Sequence, residues 1–257
     1  MSLAQVRIIL VEPAGPLNVG AVARVMKNMG LQQLILVSPH CDPLGEEARL
    51  MAVHGLNILE QVQQVGSLPE ALQGCQQTIA TTARPRSLPT PLETPSQALP
   101  WLLTSNLPSA LIFGPEDRGL SNEELNYAQR FLCIPASPAY PSLNLAQSVA
   151  ICAYELYQAA QIPLEFSSFP STSFSKLASF DVLEGYYQHL EMVLLKMGYL
   201  FPHTAKAKME KLRRLYNRSN LSAEEVALLR GILGQINSIW QHLPDNYSHK
   251  SKLSRSD

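Results

Sequence analysis

The chain has 257 residues, 46% of them hydrophobic and only 16% charged, which excludes a disordered polyampholyte and a coiled coil and points to one large domain or one domain with a smaller companion. Its net charge of −1 argues at first sight against a nucleic-acid partner, whose affinity rests on Lys and Arg meeting phosphates. The average hides a split: before residue 203 there are 10 basic against 16 acidic side chains (−6), and from there on 10 against 5 (+5). Four cysteines (Cys41, Cys75, Cys133, Cys152) lie far apart, with no C-x-x-C pair and no clustered histidine, so reduced, mostly buried thiols and no metal are expected. The N-terminal residues MSLAQVRIILVEP lack a basic segment followed by an apolar stretch, and no apolar run reaches the ~18 residues of a membrane span. A cytoplasmic protein with no membrane partner is expected.

In chain order, short apolar runs alternate with helical patterns up to about residue 160, the pattern of an α/β domain with a largely parallel sheet. Strands are predicted at Val6–Val11, Gln33–Val37, Thr78–Thr82, Ala110–Phe113 and Phe131–Ile134, with a weaker one at Gln61–Val65. Helices are predicted at Asn18–Met29, Gly45–Val53, Pro69–Gln73, Ser96–Leu103, Asn122–Gln129 and Leu143–Ala160. Ser67-x-x-Glu70 and Ser121-x-x-Glu124 have capping-box spacing. The prolines Pro85, Pro89, Pro91, Pro95 and Pro100 read as an ordered loop of this domain, because the strand pattern resumes after them.

Residues 161–180, rich in serine and proline, read as a linker. In Asp181–Met197 the residues Leu183, Tyr186, Tyr187, Leu190, Val193, Leu194 and Met197 recur at helical spacing and make one face. Ala205–Arg218 is a shorter, basic helix. Ser222-x-x-Glu225 caps a third, with Val226, Leu229, Ile232, Leu233, Ile236 and Trp240 expected inward. The resulting division is a domain at 1–160, a linker at 161–180, a helical extension at 181–243 and a disordered tail at 244–257.

Three constellations can carry chemistry. The first follows the first strand: Glu12-Pro-Ala-Gly-Pro-Leu-Asn18-Val-Gly20-Ala-Val-Ala-Arg24, where a turn into a helix presents backbone amides to an anion. Ala21 and Val22 stand where a P-loop needs Lys and Ser/Thr, so this is no nucleotide P-loop; a plain strand–helix turn with a solvated Arg24 is the competing reading. The second is Gly114-Pro-Glu116-Asp-Arg118-Gly119-Leu120-Ser121, a turn or a site at the strand edge where ligands of open sheets bind. The third, Ile134-Pro135 through Ser142-Leu143-Asn144-Leu-Ala146, fits a helix cap as well as a binding loop. No histidine sits beside Ser142 to support a hydrolytic triad. An ordinary dehydrogenase is excluded for want of G-x-G-x-x-G.

Taken together in order, Asn18-Val-Gly20…Arg24, Ile112-Phe-Gly114-Pro-Glu116-Asp-Arg-Gly119-Leu120 and Ile134-Pro135…Ser142-Leu143-Asn144-Leu-Ala146 resemble the three motifs of the SpoU (TrmH) branch of the SPOUT RNA methyltransferases. Thr81-Thr82-Ala83-Arg84 resembles that family's T-[ST]-A-R loop. The basic stretch Met209–Arg218 followed by Leu229–Leu233 is similar to the C-terminal extension of TrmJ-type tRNA (cytidine/uridine-2'-O-)-methyltransferases.

That resemblance implies an α/β fold whose parallel sheet carries a C-terminal trefoil knot, followed by a small helical extension; topology rules alone argue against a knot. It implies S-adenosyl-L-methionine as methyl donor, homodimers with both subunits contributing to each site, and tRNA as partner. Carried over residue by residue, the cofactor loops are Thr81, Thr82 and Ala83, then Gly114, then Ile134, Ser142, Leu143 and Asn144. Catalysis falls to Arg24, Glu116, Ser142 and Asn144. The family's proposed use of Arg24 as a base meets a physical objection, since a guanidinium with a pKa above ~12 stays protonated. A clamp on phosphate that also stabilises developing alkoxide suits it better, with Ser142 or Asn144 placing the hydroxyl. Arg84, Arg86, Lys206, Lys211, Arg213, Arg214 and Arg218 are the expected RNA contacts. The implied reaction is 2'-O-methylation of the pyrimidine opening the tRNA anticodon loop, nucleotide 32. Ribosomal RNA as target, or a non-catalytic knot-fold RNA-binding protein, are the alternatives.

Overall fold

The computed structural model describes residues 3–83, 92–104, 107–161 and 177–242. Arg84, Arg86, most of the expected linker and the expected disordered tail lie outside the described residues. The chain divides into two compact units, residues 1–171 and 172–257.

In the first unit β1 (Val6–Val11) leads into α1 (Pro16–Asn28), then β2 (Gln33–Val37), α2 (Glu46–Ala52), α3 (Leu56–Glu60), β3 (Gln63–Val65) and α4 (Leu68–Ala71). β4 (Gln77–Thr81), α5 (Pro95–Ala98), β5 (Ser109–Phe113), α6 (Asn122–Leu125), β6 (Arg130–Leu132) and α7 (Leu145–Gln161) complete it. The six strands form one sheet in the order β3-β2-β1-β5-β4-β6, and every pairing is parallel. Strands buried on both faces need unbroken apolar runs. β1 and β5 supply them: Ile8, Ile9, Leu10, Leu111, Ile112 and Phe113 are all at most 1% exposed. Because the sheet is parallel, the loops after β1, β4, β5 and β6 emerge along one edge.

The helices pack on this sheet through small residues. A Cβ on Gly20 would lie 2.2 Å from the Ala48 carbonyl oxygen, so α1 and α2 approach as closely as they do only because position 20 has no side chain. The Ser67 and Ser121 hydroxyls accept from the Glu70 and Glu124 amides, as their spacing predicts. Pro95 opens α5, and Thr94 with Gln97 forms a further capping box.

Several elements depart from the sequence reading. α6 stops at Leu125 instead of reaching Gln129, because Gln129 turns back to β4: its side-chain oxygen accepts from the Thr78 amide at 2.8 Å. That contact starts β6 on the edge of β4. α3 and the 3-10 turn Val53–Gly55 lie in a stretch with no recognisable periodicity. Of the cysteines only Cys75 and Cys152 are buried; Cys41 and Cys133 are half-buried because both sit in loops beyond strand ends.

The second unit contains α8 (Phe180–Lys196), α9 (Pro202–Asn217) and α10 (Ala223–Gln241). Leu183, Tyr186, Tyr187, Leu190, Val193, Met209, Val226 and Leu233 form its core. The Tyr187 hydroxyl donates to Asn217 at 2.6 Å, and burial pushes both Tyr186 and Tyr187 well above the usual phenol range. The Ser222 hydroxyl caps α10 and the Glu225 carboxylate reciprocates. Ile232 and Met197, expected inward, are exposed; Ile232 sits about 120° round the helix from Val226 at 100° per residue.

Candidate functional site

The three motifs, up to 126 positions apart, meet through side-chain hydrogen bonds. Glu116, just after β5, is the hub. One carboxylate oxygen accepts from the Ala14 amide (3.3 Å), and the other accepts from the Gly15 amide (3.3 Å) and Asn18 Nδ2 (2.8 Å). Asn144 Nδ2 in turn donates to Asn18 Oδ1 at 2.9 Å, while Asn144 Oδ1 accepts from the Ala146 and Gln147 amides at the start of α7. The carboxylate and both amides are therefore engaged in fixing three loops to one another. Charge-assisted bonds to backbone amides are the stronger kind, which suits a buckle between loops.

A second clasp escaped the sequence reading. The Arg118 guanidinium donates to Glu12 at 2.6 Å and to Glu124 at 2.9 and 3.0 Å. Glu12, just after β1, has φ 47, in the left-handed region, where a residue with a side chain is strained. Burial works against ionisation of Glu124, yet the bonds from Arg118 and Ser121 outweigh it and hold the carboxyl below its usual range. The bonds to Glu124 and to Glu12 raise Arg118 above its ordinary value. Nothing in the sequence pairs positions 12, 118 and 124 except their charges.

Beside these clasps lies a cavity of about 240 Å³. Its walls come from the loop after β4 (Thr81, Thr82, Ala83), the loop after β5 (Phe113 to Leu120), Ile134 after β6, and Pro141, Ser142, Leu143, Leu145 and Ser148. The position this cavity occupies, beyond the carboxyl ends of parallel strands, is where ligands of open α/β sheets bind. Gly114 shapes it: a Cβ there would lie 2.3 Å from the Leu120 amide nitrogen, so the loop folds back on itself only with glycine. The Thr81 hydroxyl donates to the Ile112 carbonyl at 3.0 Å and ties the β4 loop to β5. Cys41 is raised by burial and then by the nearby Glu116 carboxylate, placing the β2 loop on the same side.

Of the residues expected at the cofactor, Thr81, Thr82, Ala83, Gly114, Ile134, Ser142 and Leu143 line this cavity, and Asn144 stands behind it. Ser142 has no hydrogen-bond partner among the described residues and is exposed. Arg24 is exposed on α1, does not line the cavity, and lies about 9 Å along the helix axis from Asn18 at 1.5 Å per residue.

In the second unit, Lys206, Lys211 and Arg218 are exposed. Arg213 is held inward: it makes a two-pronged ion pair with Glu184 (2.5 and 2.7 Å) and lies 4.6 Å over the Tyr187 ring. That packing role departs from the RNA contact expected of it. Among the described residues no helix is long and apolar enough to cross a membrane, and no group of three or more His, Cys, Asp or Glu side chains could hold a metal ion.

Comparison with known proteins gives two family matches. Residues 5–154 match the SpoU rRNA methylase family, and residues 181–246 match the C-terminal domain of the tRNA methyltransferase TrmJ. The tRNA (cytidine/uridine/adenosine-2'-O-)-methyltransferase TrmJ of Pseudomonas aeruginosa is 42% identical over 246 residues, 92% of this chain and 95% of that protein. The tRNA (cytidine/uridine-2'-O-)-methyltransferase TrmJ of Pectobacterium atrosepticum is 40% identical over 91% of this chain and 97% of its own length. Among solved structures, TrmJ from Z. mobilis superposes with a TM-score of 0.79 at 31% identity, covering 90% of this chain and 98% of that one.

Proposed function

This chain belongs to the SpoU methylase family, and on that premise we propose that it transfers a methyl group from S-adenosyl-L-methionine to a ribose 2'-hydroxyl of tRNA. The target is the pyrimidine at nucleotide 32 of the anticodon loop. One observation carries the reading: Glu116, Asn18 and Asn144 join the three motif loops beside a single cavity. Its relatives over nearly full length are named as tRNA 2'-O-methyltransferases.

The cavity suits the donor. Among the described residues its walls bring together backbone groups from three loops, the Ser142 hydroxyl and the apolar Leu120, Ile134 and Leu143, and the cation there, Arg118, is paired with Glu12 and Glu124. Thr81 to Ala83, Gly114, Ile134, Ser142 and Leu143 would hold it, with Asn144 fixing the last loop from behind. When bound, the donor supplies an electrophilic methyl on sulfur. The family's trefoil knot belongs to this reading, since the segments following β5 and β6 enclose the same cavity.

The chain's own groups then have distinct tasks. Glu116 spends both oxygens on protein donors and Asn144 both ends of its amide, so both act as positioning residues. Ser142, at the cavity wall without a partner among the described residues, orients the ribose hydroxyl, where proximity supplies much of the rate. Arg24 clamps the adjoining phosphate and stabilises negative charge on the attacking oxygen. Its place outside the walls of its own cavity supports a homodimer in which it serves the site of a second copy. Exposed Leu17, Leu50, Ile151, Tyr154 and Tyr157 on α1, α2 and α7 offer that dimer an apolar face. The basic surface of α9 supports a role in holding the RNA.

A tRNA transcript with a 2'-deoxyribose at nucleotide 32 tests the target. Loss of methyl transfer relative to the all-ribose transcript is expected; undiminished transfer would place the methyl elsewhere.

A further inference from the structure

The second unit carries an aromatic surface between α8 and α9 that neither core nor cap explains. Tyr199 and Leu200 both donate their amides to the Leu194 carbonyl, at 3.0 and 3.1 Å, closing α8. Beyond it the chain is extended, with Phe201 at φ −120 and ψ 148. Leu200 is 1% exposed and enters the core, while Tyr199 and Phe201 on either side of it are 58% and 42% exposed.

These rings are held in place. His203 stacks on Phe201 with centroids 5.9 Å apart and planes at 23°. Lys208 Nζ lies 4.7 Å over the Tyr199 ring and donates to the Tyr199 carbonyl at 2.9 Å, so a cation and a hydrogen bond fix one ring and a stack fixes the other. Lys206 is three residues from His203 and Lys211 three from Lys208, the spacing at which helical side chains are neighbours. Within α9 Lys206, Lys208, Lys211 and Arg214 stand against a single acid, Glu210, the fifth cation, Arg213, being paired with Glu184 on α8.

We propose that Tyr199, Phe201 and His203 form a stacking platform for unpaired nucleobases of RNA, with Lys206, Lys208 and Lys211 meeting the adjoining phosphates. Flat aromatic faces beside cations fit single-stranded RNA, whose bases can splay onto a ring, and not a duplex, whose base faces are already covered. Charge complementarity excludes a basic partner and distinguishes the patch from a plain apolar docking face. The inference rests on the reading of the chain as a tRNA methyltransferase and names the part of the RNA this surface holds: loop nucleotides.

The test uses the full chain, a labelled anticodon stem-loop RNA and a fully paired duplex of equal length. Replacing Tyr199 and Phe201 together by alanine weakens stem-loop binding by about 10-fold or more, since each base–aromatic stack contributes measurably; duplex binding and the slope of log K against log salt stay as in the parent. Lys206→Ala and Lys211→Ala instead flatten that slope by roughly one each. In the Phe201→Ala chain, Tyr199→Trp keeps stem-loop binding above that of the double alanine variant. The parent chain also quenches a 2-aminopurine placed in the loop, a readout that needs no variant. Unchanged stem-loop affinity in the double alanine variant, equal loss on the duplex, or a changed oligomeric state with RNA affinity intact would overturn the platform. Failure of the parent chain to methylate any tRNA would overturn the functional reading instead, so the two failures are distinguishable.

Discussion

The two units use polar and aromatic side chains in opposite ways. In the first, the functional residues bind one another: Glu116, Asn18 and Asn144 in one set, Arg118, Glu12 and Glu124 in another. In the second, Lys206 and Lys211 are exposed on α9, and the Tyr199 and Phe201 rings are 58% and 42% exposed. Groups bonded to one another across loops set geometry, whereas groups exposed on the surface are placed to meet a partner. Variants in the first unit are therefore expected to change turnover and stability, and variants in the second to change affinity and its salt dependence.

The largest expected effect is at Arg24, which like Ser142 is exposed with no partner among the described residues. Arg24→Lys keeps the charge but loses the planar fork, and turnover falls by about 10²-fold or more, the loss typical when a transition-state donor is removed. Binding of S-adenosylmethionine, measured by calorimetry, is unchanged. Near-normal turnover would leave the clamp assignment without support.

Gly114→Ala comes next. A methyl 2.3 Å from a backbone nitrogen forces the loop to move, and overpacking of this kind costs about 1–3 kcal/mol. Thermal unfolding and donor affinity should both suffer. A variant with donor binding intact would show that the loop has room the structure does not display.

The Arg118 clasp is a smaller effect with a pH signature. Its side chain and that of Glu12 are more than a third exposed, so solvent screening limits Arg118→Met to about 1 kcal/mol or less. Glu124 is held below its ordinary value. A carboxyl depressed in this way stabilises the fold above the unfolded-state value near ~4.3, and that contribution disappears as pH falls through the lower folded-state value. The stability difference between parent and variant should thus be full at neutral pH and shrink in acid. A difference that grows on acidification would contradict the clasp.

The sequence made some of this arrangement readable and concealed the rest. β1 and β5 announce themselves as apolar runs because a parallel sheet buries both faces, and the caps at Ser67, Ser121 and Ser222 follow from spacing alone. Glycine at 114 and the paired motif strings marked the cavity loops. The partners of Glu116 were invisible, since a carboxylate does not declare which of many amides it accepts from across about a hundred residues. Arg213 was misread for the same reason: its charge shows in the sequence, but Glu184 and the Tyr187 ring that absorb it lie on another helix. Tyr199 and Phe201 carry no motif in the sequence, and their exposure shows only once Leu200 takes the core place between them.

The most direct test of the central claim is to incubate the full chain with total RNA and isotopically labelled S-adenosylmethionine and map the labelled nucleotides. Label is expected as 2'-O-methylated pyrimidine at nucleotide 32 of tRNA, with its rate of formation reduced about 10²-fold or more when Arg24→Lys replaces the parent. A methylated base, or label confined to ribosomal RNA, would contradict it.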